Sequence, residues 1–271
     1  MKRASDATPI GELRLFDTCV TLGALSTDNE ALGVDNVLEI LDKHDICEAL
    51  VHNNEARVVY PRERGNIRLL DWVKGCDRLH PVWALDPIGS PDVSSARSMV
   101  AAMLEAGVRA ARLMMGVAPP FLWVWDSLCT ALDERHIPCM LDFAPVRDRT
   151  VATTQSTPDE LMMNELRSIC LAHPELPMVL SNVSGGRGLA WCTLALMREV
   201  PNLHIDTSCI IDYWRTAYRE LGPERVFFAT GMPFYDPSIF VSMIQYADDV
   251  ALVDKQAMCG GNIRRLMEAV Q

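Results

Sequence analysis

No stretch of eighteen apolar residues runs through this chain without a charge or a break, so a membrane-spanning helix is not expected. No run of Lys or Arg exceeds two residues, and the formal net charge is −11. That field repels a phosphate backbone and speaks against nucleic acid as a partner. The nine cysteines include no CxxC or CxxxC pair. Their odd number and irregular spacing argue against a disulfide framework or a structural zinc site. Cys47, Cys139, Cys170 and Cys209 fall inside apolar runs, where a free thiol behaves as a small hydrophobe. Reduced thiols of this kind point to the cytoplasm. No GxGxxG follows the first apolar run, which disfavours a dinucleotide-binding open sheet. Residues 1–11 are polar, lack the apolar core of a secretory signal and read as a flexible lead.

What the chain does have is a rhythm. Short apolar runs alternate eight times with amphipathic stretches of helical spacing. The runs are 13–16, 46–51, 79–85, 108–113, 138–143, 178–181, 203–206 and 226–229. Each has the length of a buried strand and reads apolar on both faces, as parallel strands do. The helical stretches are 34–43, 66–74, 93–106, 121–135, 158–172, 189–200, 211–221 and 237–246, with two more pieces at 254–259 and 262–270. Within 93–106, Ala96, Met99, Val100, Met103 and Leu104 recur at helical spacing. Start signals include Ser94 and the Thr157-Pro158 pair. Eight strand–helix units need about 250 residues, so 271 residues give one α/β domain, a (β/α)8 barrel over 12–271.

In such a barrel the chemistry gathers at the C-terminal ends of the strands. Those positions hold Asp17, Cys19 and Thr21, then His52, Asn53 and Asn54, then Asp86 and Arg112. Next come Asp142 and Arg147, Asn182 and Ser184, Asp206 and Ser208, and finally Thr230 and Tyr235. The rim is rich in carboxylates and amides and poor in histidine. His44, His80, His136, His173 and His204 fall at the wrong ends of their elements, and only His52 follows a strand. Arg112 is costly to bury unless it meets a carboxylate. It either pairs with Asp86 or Asp142 or holds a substrate carboxylate. Asp17 either hydrogen-bonds at its strand end or acts in the site, and Asp206 could instead orient a loop.

The segments LFDTCVTLG, HIPCMLDF, LPMVLSNVSGG, NLHIDTS, GPERVFFATGMPF and CGGNIRRLM, in this order from Leu15 to Met267, carry a resemblance. The chain resembles the amidohydrolase superfamily, in the branch of aminocarboxymuconate-semialdehyde decarboxylase and the pyrone-dicarboxylate lactonases. That resemblance implies the barrel and a metal-dependent site. The family's first strand ends in Asp-x-His-x-His, whereas here Asp17-Thr18-Cys19-Val20-Thr21 stands. Asp142 occupies the place of a ligating His, Asn182 that of a catalytic His, and Gly231 that of a metal-binding Asp. Cys19 and Asp142 supply at most two ligands where zinc needs three or four, so neither metal nor other cofactor is expected.

The reading that follows is a metal-independent hydrolase of a small carboxylated lactone, ester or amide. Asp17 or Asp142 would serve as base, with Asn182 beside them. Arg112, His52, Asp86, Asp206 and Thr230 would bind substrate. The alternative is a catalytically silent barrel that binds a small molecule or a protein. Decarboxylase or hydratase chemistry on an unsaturated acid follows from kinship alone. A homodimer is an allowed assembly.

Overall fold

The computed structural model describes residues 7–24, 31–58, 61–115, 118, 120–142, 160–181 and 187–271. Its strands are β1 (Phe16–Leu22), β2 (Glu48–Asn53), β3 (Leu79–Pro81), β4 (Trp83–Leu85), β5 (Ala111–Met114), β6 (Cys139–Asp142), β7 (Met178–Leu180), β8 (Leu203–Asp206) and β9 (Val226–Phe227). All pair in parallel, in the orders β1-β2-β3 and β4-β5-β6-β7-β8-β9. β3 and β4 are two halves of one stave broken at Val82, whose N–H still reaches Val51 O at 2.8 Å. The ring closes where Thr18 N donates to Phe228 O at 3.0 Å and Thr21 N to Met232 O at 2.9 Å. Eight staves therefore form the expected barrel.

The helices are α1 (Ile10–Leu13), α2 (Val34–Lys43), α3 (Asn54–Val58), α4 (Arg62–Val73), α5 (Val93–Glu105), α6 (Leu122–Asp133), α7 (Glu160–Ala172), α8 (Arg187–Glu199), α9 (Trp214–Leu221), α10 (Pro237–Gln245), α11 (Leu252–Gln256) and α12 (Asn262–Glu268). α5 shows why such segments coil. Asp92 caps it by accepting from Ser95 N at 2.8 Å, two residues before the expected Ser94 signal. Ala96, Val100 and Met103 bury one stripe of it against the barrel. The Thr157-Pro158 signal lies outside the described residues.

Three expectations need correction. The first strand begins at Phe16 and runs to Leu22, because Leu13 closes α1 and Leu15 belongs to the connection. Thr8, expected within a flexible lead over 1–11, is docked: its N–H donates to Gln245 O at 3.2 Å, and its Oγ1 accepts from Lys255 Nζ at 2.8 Å. α3 was not anticipated at all. It follows β2 directly, in a polar stretch too short to show helical periodicity.

Strand alternation sorts the barrel's interior into layers. Phe16, Leu50, Val82, Ala110, Met140, Val179 and Phe227 form an apolar floor, sealed below by Ile263 of α12. Full burial of a side chain such as Ile263 stabilises by about 1.5–3 kcal/mol. Two residues further along the same staves stand His52, Ala84, Arg112, Asp142 and Ser181, and the same step from His204 reaches Asp206. The apolar floor thus dictates a polar storey above it.

Between β2 and β4 the wall is incomplete, and α4 repairs it. Asn66 Nδ2 donates to Ala84 O at 3.0 Å, and Ala84 N donates to Asn66 Oδ1 at 2.9 Å. Gly65 allows the approach, since a Cβ there would lie 2.4 Å from Ala56 N. This wedge carries Arg62 and α3 to the barrel's upper end.

Candidate active site

The centre of the polar storey is an ion cluster. Arg112 Nε lies 2.9 Å and Arg57 Nε 3.0 Å from the same oxygen, Asp142 Oδ2. Arg112 Nη1 also reaches His52 Nδ1 at 3.5 Å, and His52 Nε2 meets Thr21 Oγ1 at 3.0 Å. Arg62 extends the chain of contacts, donating to Ala56 O at 2.7 Å and Arg57 O at 2.9 Å while pairing with Asp86. Of the two carboxylates weighed for Arg112, its partner is Asp142. Asp86 belongs to Arg62 and also caps the next turn, accepting from Ile88 N at 2.9 Å.

A second group forms around the barrel's closure. Asp17 accepts from Cys19 N and from Thr230 N, each at 3.0 Å, and from the Thr230 hydroxyl. β1 makes this possible because its register against β2 slips by one residue between Asp17 and Val20. Thr230 Oγ1 also accepts from Met232 N at 3.1 Å, so its hydroxyl is committed to holding Asp17. Asp206 accepts from Ser208 Oγ at 2.6 Å and Cys209 N at 3.2 Å, capping the turn after β8. Its loop-orienting role is real, but it uses only Oδ1.

Cys19 joins the two groups. Its thiol lies beside the Arg112 guanidinium and is felt by both Asp206 and Asp17. Ser181 stands next to Cys19 and Asp206 without an aligned hydrogen bond of its own. Among the described residues Arg112 Nη2, Ser181 Oγ and Asp206 Oδ2 make no well-aligned hydrogen bond, and looser contacts join Arg112 and Ser181 to Cys19 and Ser181 to Asp206. Buried polar atoms held this loosely keep hydrogen-bonding capacity for a bound group.

Burial sets the protonation states. It lifts Asp17 to about 7, although the Thr230 and Cys19 hydrogen bonds pull downward. Asp206 is raised for the same reason, against the pull of Ser208 and Arg112. His52 is pushed well below its usual range by burial and by the Arg112 charge, so it is neutral. Burial also penalises a charged Arg112, yet Asp142 outweighs it and keeps the guanidinium charged.

The expected convergence of Asp17, Asp142 and Arg112 is therefore half realised. Arg112 and Asp142 touch, while Asp17 belongs to the Thr230 side and meets them only through Cys19. Asn182, Arg147 and Ser184 lie outside the described residues. Arg57, Arg62 and Ser181 were missed. The available signal for Arg57 was its place directly behind β2, and for Ser181 its spacing of two from a floor residue. A separate cavity of about 380 Å³ lies in the wall between α4 and α5, lined by Trp83, Leu85 and Met99 among others. It takes in Arg62, Asp86 and Ala84 but not His52, Arg112, Asp142, Ser181 or Asp206.

The residues do not fit a metal centre of the kind the resemblance implies. Among the described residues no three His, Cys, Asp or Glu side chains are placed to hold an ion. Both oxygens of Asp17 are occupied, and Asp142 is clamped between guanidinium groups. Gly231 has φ +65°, and a Cβ there would crowd Tyr235 at 3.1 Å and Ser208 at 3.2 Å. A ligating side chain at that position would be strained as well as crowded.

An amidohydrolase family model matches residues 42–268. Among curated proteins no sequence matches. The fold is similar to that of 5-carboxyvanillate decarboxylase from Sphingomonas paucimobilis, at 14% identity and TM-score 0.67 over 96% of this chain and 100% of that one. It is also similar to 2,6-dihydroxybenzoate decarboxylase from Rhizobium, at 18% identity and TM-score 0.64 over 94% and 98%. A third similar structure is a probable 2-pyrone-4,6-dicarboxylic acid hydrolase from Acinetobacter baumannii with citric acid bound, at 11% identity and TM-score 0.66 over 94% and 99%.

Proposed function

Starting from a chain that belongs to the amidohydrolase family, we propose that it hydrolyses a small carboxylated lactone, ester or amide without a metal ion. One observation carries this reading: three buried atoms without a well-aligned hydrogen bond, Arg112 Nη2, Ser181 Oγ and Asp206 Oδ2, in one layer of the barrel. A substrate carboxylate or a developing oxyanion would accept from Arg112 and Ser181. Asp142 and Arg57 hold the Arg112 guanidinium in place, which is the preorganisation such stabilisation needs. That anchoring removes Asp142 from the role of base.

The base is then Asp206, whose Oδ2 makes no well-aligned hydrogen bond and whose pKa burial raises, both of which favour proton abstraction from water. Asp17 is raised too, but its oxygens are taken up by Thr230 and Cys19, and it acts behind Cys19 to shape the field. His52, neutral and tied to Thr21, orients Arg112. The named similar proteins handle aromatic and pyrone carboxylic acids, which supports a small, flat, acidic substrate.

A second reading, a barrel that binds an acid but performs no chemistry, is favoured by the burial of Asp17, Arg112, Asp142, Asp206 and Thr230, none above 1% exposed. Calorimetry with a panel of small aromatic and heterocyclic mono- and dicarboxylates tests the shared premise. Binding should vanish in Arg112→Ala and return in part in Arg112→Lys, which keeps the charge and loses the planar fork. Equal affinity in the native protein and Arg112→Ala would remove the premise. Binding without turnover of the matching lactones would select the second reading.

A further inference from the structure

We propose that the guanidinium groups of Arg112 and Arg57 fill a latent divalent-metal site formed by Cys19, His52 and Asp142, and that their charge keeps a metal out of this barrel. The three side chains come from β1, β2 and β6, and each faces the Arg112 guanidinium, while Arg57 Nε shares the Asp142 oxygen at 3.0 Å. Asp142 Oδ2 is 2.9 Å from Nε, His52 Nδ1 is 3.5 Å from Nη1, and the Cys19 thiol lies alongside. One sulfur, one imidazole nitrogen and one carboxylate oxygen are a donor set that zinc or cobalt accepts.

The orientation of His52 is the second observation. Its Nδ1 lies 3.5 Å from Arg112 Nη1 and its Nε2 lies 3.0 Å from Thr21 Oγ1, and the tautomer with a free Nδ1 lone pair suits both contacts. A neutral imidazole fixed from behind in this way is how histidines are arranged on metals, with the outer hydrogen bond setting the tautomer. Here the cation is a side chain of the protein itself.

Size and charge explain the exclusion. Metal ligands converge at about 2.0–2.3 Å from the ion, whereas a guanidinium holds its neighbours at hydrogen-bond distance. The same three residues are thereby kept too far apart to ligate. All three are at most 3% exposed, so a second positive charge beside Arg112 would meet little solvent screening.

This inference deepens the metal-free reading of the site but does not depend on turnover. Its test uses chelator-treated protein and cobalt(II) without substrate, so failure here is separable from failure to find hydrolysis. Native protein should take up no cobalt. Arg57→Met/Arg112→Met, which keeps much of the volume without the charges, and Arg57→Ala/Arg112→Ala should each bind one cobalt per chain with a near-ultraviolet thiolate band. Adding Cys19→Ser should abolish that band, and Arg112→Lys should bind none. Should an uncharged variant be unfolded alone, refolding on addition of cobalt supports the proposal, and remaining unfolded counts against it. Native protein that binds cobalt through Cys19, or uncharged variants that are folded and bind none, would overturn it.

Discussion

Arg112 Nε sits 2.9 Å from Asp142 Oδ2, in a pair whose side chains are 1% and 0% exposed. Removing one partner of such a pair strands the other charge, at a cost of about 3–5 kcal/mol. Arg112→Ala should fall at the lower end, because Asp142 keeps Arg57 at 3.0 Å. Asp142→Ala should cost more, because it leaves two buried guanidinium groups facing each other. Urea unfolding of the two variants gives the order directly, and a larger loss for Arg112→Ala would contradict the shared clamp.

Asp17 makes stability depend on pH in an unusual direction for a carboxylate. Its pKa rises from 3.8 to about 7 on folding, so the folded state holds the proton more tightly. The contribution is complete below about pH 4 and is lost as pH rises through about 7. Its size is at most of the order of 4 kcal/mol, from about three pKa units. His52 runs the other way, since its lowered pKa costs stability as pH falls below about 6.5. The difference between native protein and Asp17→Asn isolates the Asp17 effect. Denaturation midpoints should converge less as pH falls, with the native protein gaining on the variant from neutral pH toward pH 4. A constant difference would show that Asp17 does not titrate in this window.

The eight staves were legible because parallel strands buried on both faces read as short apolar runs, and 178–181 and 203–206 were placed within a residue. The first stave was misplaced because Leu13 and Leu15 continue an apolar run that the chain spends on α1 and its connection. Arg112 and Asp142 could be picked out as charges in apolar runs. Their pairing was one of two open choices, since which carboxylate meets which arginine depends on the barrel's curvature. Asp86 looked equivalent to Asp142 in sequence. Only the wedge of α4, admitted by Gly65 and anchored by Asn66, brings Arg62 to it. Arg57 is only weakly legible for a related reason: its place behind β2 is visible, but a buried charge on a single turn of helix leaves no periodic trace.

Thiol reactivity should divide the nine cysteines, all of which are free. Cys47 and Cys192 are exposed and should label within the native protein. Cys19 is buried, with burial pushing its thiol up to about 11, so little reactive thiolate forms at neutral pH. Cys129, Cys139, Cys170 and Cys259 are buried as well and should react only after unfolding. Timed alkylation followed by peptide mass mapping reads this out. Early modification of Cys19 would show that solvent reaches the polar storey.

Metal-free hydrolysis with Asp206 as base is tested most directly by steady-state turnover of carboxylated lactones by chelator-treated protein, native against Asp206→Asn. Native protein should turn over without added metal. Asp206→Asn should keep its carboxylate affinity and lose at least about 100-fold in kcat, as expected for a general base. Turnover that appears only when metal is supplied, or an Asp206→Asn variant as fast as the native protein, would contradict the account.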